Sequence, residues 1–258
     1  MQKADERIGK GSSHLINTPS SAFGTFSRKR EKEKNILSGI MKESNHQQII
    51  GIYGGSFDPI HNGHCRLIIE LLEKMPFSEI KILPCLTPAL KPETKVPADH
   101  RLNMLGLALL GINRVNIDER ELKRAKVSYT YDSLQEIRNE LGDKPLALIM
   151  GIDAFSDFDQ WHRWQELLPL AHIIIVSRPH YELPQKTVLA ELLKKHLVDD
   201  QNELCKTPGG KIFICPIPLL SISATDIRRK CEDNLSIKYL VPDSVLEYII
   251  NEELYTTE

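Results

Sequence analysis

The chain has 258 residues, of which 41% are hydrophobic and 26% charged, with a formal net charge of −2. That composition supports a buried core and excludes collagen-like, wholly disordered and mucin-like chains; at ~150 residues per domain the length suits one large domain with an appendage. No apolar run approaches the ~18 residues that cross a bilayer, and the first 30 residues lack the apolar stretch of a secretory signal, so a cytoplasmic protein is expected. Cys65, Cys85, Cys205, Cys215 and Cys231 are odd in number and form no C-x-x-C pair, which predicts reduced, structural thiols rather than a disulfide framework or a zinc cage.

Residues 1–48 are rich in Ser, Lys, Glu and Asn, and carry nine basic against five acidic groups. Their scattered apolar residues cannot offset the entropy of ordering the chain, so a disordered or loosely attached tail is expected there. The run Arg28-Lys29-Arg30 is interleaved with Glu31 and Glu33, which favours a solvated tail over a nucleic-acid contact.

From residue 49 to 258 one domain is expected. Ile49–Tyr53, Ile80–Leu83, Val115–Ile117, Leu146–Met150, Ile173–Val176 and Ile212–Cys215 are short apolar runs without alternation, as in strands buried on both faces. Between them, Leu102, Leu105 and Leu109, and again Leu134, Ile137 and Leu141, recur at the spacing of one helical face. Alternating strand and helix predicts an α/β, Rossmann-like fold, a mostly parallel sheet with helices on both faces and a ligand at the carboxyl ends of the strands.

The segment Gly54-Gly55-Ser56-Phe57-Asp58-Pro59-Ile60-His61-Asn62-Gly63-His64 follows the first strand and opens a helix. Two glycines there allow positive φ and close approach of a ligand to the backbone, and the helix start offers unpaired N–H groups, so an anion is expected. His61 and His64, three apart, would point the same way. Such a pair also occurs in metal sites, but no third ligand lies nearby in sequence. Phe57 and Ile60 read as packing, and Asp58 before Pro59 as a turn former.

His61-Asn62-Gly63-His64 resembles the H-x-G-H signature of a nucleotidyltransferase superfamily, and residues 49–250 are similar to its bacterial nicotinate-nucleotide adenylyltransferase family. A second matching segment is Ile222-Ser223-Ala224-Thr225-Asp226-Ile227-Arg228, similar to the family's I-S-x-T-x-x-R run that binds ATP phosphates. Its hydroxyls can cap a helix or reach a phosphate, and Arg228 can fork onto phosphate oxygens. Ala224 stands where the family often has a second Ser.

A third match, Gly151-Ile152-Asp153 through Trp161-His162-Arg163-Trp164, resembles the elements around the family's nicotinate ring. An electron-poor pyridinium stacks well on an indole, which makes Trp161 the expected platform and leaves Trp164 to the core. Asp153 is either a nucleotide contact or a helix N-cap. Ser128-Tyr129-Thr130-Tyr131-Asp132-Ser133-Leu134 resembles a further family segment, with Thr130 near substrate and Asp132 as helix cap. In the proline-rich loop from Leu83 to Pro97, Lys91 matches a family basic residue, although Leu90 replaces the usual His. Tyr239-Leu240-Val241-Pro242 is assigned to packing.

The resemblance implies transfer of the adenylyl group of ATP to nicotinate mononucleotide, with deamido-NAD and pyrophosphate as products. It assigns catalysis to His61, His64 and Arg228, and ATP binding to Gly54, Gly55, Ser56, Lys91, Ser223 and Thr225. Contact with the nicotinate nucleotide falls to Thr130, Asp153 and Trp161. Mg²⁺ is implied as the companion of ATP, with no metal site built from protein alone. No membrane or nucleic-acid partner is expected, and a homo-oligomer is left open. The rival readings are nicotinamide mononucleotide as acceptor and a non-catalytic nucleotide sensor.

Overall fold

The computed structural model describes residues 48–90, 92–124, 126–177 and 186–256. The expected tail and Lys91 therefore lie outside the described residues. In chain order the elements are β1 (Ile49–Gly55), α1 (Asn62–Lys74), β2 (Phe77–Pro84), β3 (Thr87–Pro88), α2 (Ala98–Leu109), β4 (Val115–Ile117), α3 (Arg120–Arg124), β5 (Val127–Ser128) and α4 (Thr130–Leu141). They continue with β6 (Leu146–Gly151), α5 (Ile152–Ser156), α6 (Trp164–Leu170), β7 (His172–Ser177), α7 (Thr187–His196), β8 (Ile212–Pro216), α8 (Ala224–Glu232) and α9 (Asp243–Asn251). Each of the six apolar runs is a strand, lengthened by a residue or more except at β4.

Six strands form one parallel sheet in the order β4-β2-β1-β6-β7-β8, and β3 and β5 form a separate two-stranded ladder. The chain starts in the middle at β1, runs outward to β4, then returns to β6 and runs out the other way. β1 and β6 therefore flank the topological switch point, where a crevice opens beyond the strand ends.

Burial on both faces explains the lack of alternation. In β7, Ile173 and Ile175 join one core cluster while Ile174 and Val176 join the other; in β6, Leu146, Leu148 and Met150 oppose Ala147 and Ile149. Helices α1, α2, α8 and α9 cover one face, with Leu67, Ile68, Leu71, Met104, Leu105, Ile227, Val245 and Ile249 inward. Helices α4 to α7 cover the other through Leu134, Ile137, Phe155, Leu167, Leu168, Leu189 and Leu193.

The expected face of α2 is rotated. Leu102 is only half-buried, and Arg101 and Met104 are fully buried beside Leu105 and Leu109. The five cysteines are thiols, with Cys85, Cys205 and Cys215 buried. Among the described residues no helix is long and apolar enough to cross a membrane.

The edge of the sheet opposite the strand ends is braced by Arg138, whose guanidinium donates to the carbonyls of Gly142 (2.6 Å), Lys144 (2.7 Å) and Pro208 (2.8 Å) and to Leu170 (3.0 Å). Nearby, a Cβ on Gly209 would stand 2.9 Å from the Ala171 nitrogen and 3.0 Å from the Pro169 oxygen, against main chain that cannot swing aside. Gly209→Ala should therefore destabilise the fold by about 1–3 kcal/mol in urea unfolding, with turnover per folded molecule unchanged.

Candidate active site

β1 ends at Gly55 and α1 begins at Asn62, so the loop between them sits on the carboxyl edge beside the switch point. Gly54 and Gly55 are not the positive-φ residues expected there. They are still strand, paired with Leu83 and Pro84 of β2, and the left-handed residue is Phe57 (φ 48). What Gly54 contributes is bare, exposed main chain, since a Cβ there would meet only the Leu83 oxygen at 3.9 Å.

His61 is the N-cap of α1, and its Nδ1 accepts from the His64 N–H at 3.4 Å while the Nδ1 of His64 accepts from the His61 N–H at 3.3 Å. Two imidazoles thus occupy a reciprocal capping box, the role more often filled by Ser or Thr with Glu. Their rings stack, with centroids 3.7 Å apart. Because each Nδ1 accepts, the proton of each neutral ring resides on Nε2. Burial holds the His61 pKa down to about 4, against a smaller opposing backbone hydrogen bond.

Gly63 is sterically required in this arrangement: a Cβ would lie 2.9 Å from the Nδ1 of His61. The first turn of α1 carries no acidic residue, which leaves its positive end unneutralised. Asn62 anchors the turn by donating from its side chain to the Tyr239 carbonyl (2.8 Å) and from its backbone to the Leu240 carbonyl (2.9 Å). The segment assigned to packing thus also hydrogen-bonds the histidine turn.

Arg228 reaches the same loop. Its Nη1 donates to the Asp58 carbonyl at 2.7 Å and its Nη2 to the Thr225 hydroxyl at 3.2 Å. Ser223 is the N-cap of α8, accepting from the Asp226 N–H at 3.1 Å. The preceding Ile222 carbonyl would stand 3.6 Å from a Cβ on Gly63, so the starts of α8 and α1 adjoin. The imidazole pair and the guanidinium are therefore both tied to the loop after β1.

Asp58 is more than a turn former. It is buried, with one carboxylate oxygen accepting from the Tyr255 hydroxyl and the other from the Lys95 N–H, each at 2.7 Å. Arg101, fully buried on α2, donates to the Ser56 carbonyl at 2.7 Å and the Leu86 carbonyl at 3.4 Å, while its Nε has no hydrogen-bond partner among the described residues. Sequence reading missed Arg101 and Tyr255 as members of this cluster. The one local signal for Arg101 was a cation at a core-facing position of an amphipathic helix.

The remaining candidates gather at the neighbouring strand end. Leu86 donates its N–H to the Ser128 hydroxyl at 3.1 Å, tying the loop after β2 to the start of α4. Thr130 is the first residue of α4. Asp132 is not its cap, because the extended Tyr129 occupies the N-cap position and leaves Asp132 in the first turn, where its charge still favours the helix dipole. Asp153 is exposed in the first turn of α5, directly after β6; Gly151 holds the N-cap position without a side-chain bond, so the capping alternative is not realised.

Trp161 and Trp164 both pack on Phe158, with centroids 5.7 and 5.9 Å away, and both remain partly exposed. Between them the His162 ring lies tilted against Tyr129 with centroids 4.4 Å apart, and the Arg163 guanidinium lies 3.7 Å from the centre of the Tyr131 ring. The tryptophan turn and the Thr130 turn are thereby held against each other.

The cytidylyltransferase-like family model matches residues 52–230. A relative from Methylococcus capsulatus, described as "Probable nicotinate-nucleotide adenylyltransferase", is 42% identical over 80% of this chain and 99% of its own. One of the same description from Marinobacter nauticus is 43% identical over 77% of this chain and 92% of its own. The fold is shared with the Plasmodium falciparum nicotinic acid mononucleotide adenylyltransferase complexed with NaAD, at TM-score 0.63 and 22% identity over 81% of this chain and 97% of that one. With the family model spanning most of its length and such relatives aligned almost end to end, the chain belongs to the cytidylyltransferase-like family and, within it, to the nicotinate-nucleotide adenylyltransferases.

Proposed function

We propose that this chain transfers the adenylyl group of ATP to nicotinate mononucleotide, the triphosphate lying against the starts of α1 and α8 and the acceptor at the ends of β6 and the start of α4. The observation that carries this reading is the meeting of the His61–His64 pair with Arg228 on one loop beside the switch point. The acceptor's 5′-phosphate attacks the α-phosphorus in line; the new P–O bond forms as the bond to pyrophosphate breaks, giving deamido-NAD. Such transfers need little covalent help, and the protein's contribution is to place two anions and stabilise the charge that grows between them.

The two Nε2–H groups and the Arg228 guanidinium supply that stabilisation, in positions set before the nucleotide arrives. The capping box orients the imidazoles and Asp58 orients Arg228, so reorganisation during the reaction is small. The Cys65 thiol beside His64 is pushed up to about 11 by burial, which leaves it a poor nucleophile. Gly54 offers open main chain to the nucleotide, with Gly55 and Ser56 next to it in the loop, and Ser223 and Thr225 bring hydroxyls to the phosphate side. Thr130, Asp153 and Trp161 take the nicotinate nucleotide, with the Trp161 indole against the ring.

Mg²⁺ fits this site as the companion of ATP. Among the described residues no three His, Cys, Asp or Glu gather to hold a metal, and Asp58 is committed to Tyr255 and Lys95, which leaves the phosphate oxygens as the natural ligands. When bound it would neutralise phosphate charge. A cytoplasmic location goes with this reading as part of the proposal.

Pyrophosphate release with ATP and Mg²⁺ tests the assignment: nicotinate mononucleotide should exceed nicotinamide mononucleotide in kcat/KM by on the order of tenfold or more. A nucleotide sensor would release none with either acceptor. His64→Ala should lower turnover by on the order of 10²-fold or more with the far-UV circular dichroism retained; near-normal turnover would remove His64 from catalysis.

The depressed His61 pKa also sets a pH dependence. The unfolded chain takes up a proton near pH 6.5 that the folded chain accepts only near pH 4, so this residue's contribution is intact above 6.5 and is lost as pH falls toward 4. Between pH 8 and pH 5 that loss is about 2 kcal/mol in urea unfolding. His61→Asn, which retains a capping acceptor without the titration, should lose correspondingly less.

A further inference from the structure

Outside the histidine pair and the phosphate-side segment, the most heavily connected group at the strand edge is the Asp58 carboxylate, and one of its partners comes from the far end of the chain. After α9 the main chain turns through Glu253 (φ 50) and Tyr255 (φ 63), and the Tyr255 ring enters the core cluster that also contains Phe57 and Ile60. Its hydroxyl donates to Asp58 at 2.7 Å across 197 positions of sequence. Burial and the adjoining carboxylate push that phenol well above its ordinary pKa, so it remains a donor.

Asp58 in turn binds on three sides. Its second carboxylate oxygen takes the Lys95 N–H at 2.7 Å, its carbonyl takes Arg228 Nη1 at 2.7 Å, and Arg228 lies 3.9 Å from the carboxylate itself. His61 follows three residues later. A buried carboxylate held by two neutral donors has one orientation; with a donor removed, it is left under-satisfied in a low-dielectric setting and turns toward Arg228, 3.9 Å away. We propose that Tyr255 is a positioning residue for adenylyl transfer, holding Asp58 so that Arg228 and the histidine turn keep their places against the triphosphate.

This proposal rests on the reaction assigned above, but it has a readout that does not need the acceptor. Tyr255→Phe deletes only the hydroxyl. It should lower kcat by on the order of tenfold or more while leaving KM for nicotinate mononucleotide nearly unchanged. It should also weaken binding of α,β-methylene-ATP alone by roughly three- to tenfold in calorimetry. In an Asp58→Asn background the same substitution should cost less than about twofold, because the group it acts through is already altered. Should Asp58→Asn not fold, Arg228→Lys takes its place in the cycle.

Tyr255→Phe within about twofold of the parent in both kcat and analogue affinity, whatever its melting temperature, overturns the proposal, as do losses that multiply independently of Asp58. If the parent enzyme forms no dinucleotide while the hydroxyl still governs analogue affinity through Asp58, the positioning role stands and the reaction assignment fails.

Discussion

Burial of the sheet on both faces governs the rest of this molecule. Every paired strand in the six-stranded sheet is parallel, so every carboxyl end opens on the same edge, and each connection must cross back over a face that its own helix then covers. Since β1 and β6 are neighbours in space but lie on opposite sides of the reversal in strand order, the segments that leave them diverge and leave room between. The loop after β1 leads into the histidine turn, and the helix α5 that starts directly after β6 carries Asp153, so the candidate groups follow the topology.

On that edge the polar groups are mutually fixed before any ligand arrives. The two histidines satisfy each other's backbone donors, Asn62 is held by Tyr239 and Leu240, and Asp58 joins the loop after β1, the proline-rich loop, the last residues and Arg228. Preorganisation of this kind suits a reaction whose barrier is mostly electrostatic, because donors already in place need not reorient as charge develops. The buried Arg101 adds a cation beneath the loop and ties Ser56 to Leu86, whose own N–H reaches Ser128; the loop after β1 and the segment that opens α4 are thus linked by direct hydrogen bonds.

Local signals were strong wherever a short segment carries its own physics. A strand buried on both faces is an unbroken apolar run whatever surrounds it, which is why β6 and β7 were legible nearly to the residue. The H-x-G-H turn was legible for the same reason, since histidines three apart at a helix start must share a face. The misread points were those where a neighbour decided the outcome: β2 pairs with Gly54 and Gly55 and keeps them extended, and the extended Tyr129 starts α4 earlier than Asp132 would.

By itself the amino-acid sequence determined the alternation of strand and helix, the two helix starts at His61 and Ser223, and the histidine and arginine groups proposed above for the phosphates. The tertiary structure alone decided what holds those groups. Asp58 and Tyr255 are 197 positions apart and Asp58 and Arg228 are 170 apart, and no periodicity or spacing encodes such a pairing. Only packing of α8, α9 and the last residues onto the same face as α1 brings a phenol, a carboxylate and a guanidinium together, and at that distance in sequence the contact exists because the core excludes water around it.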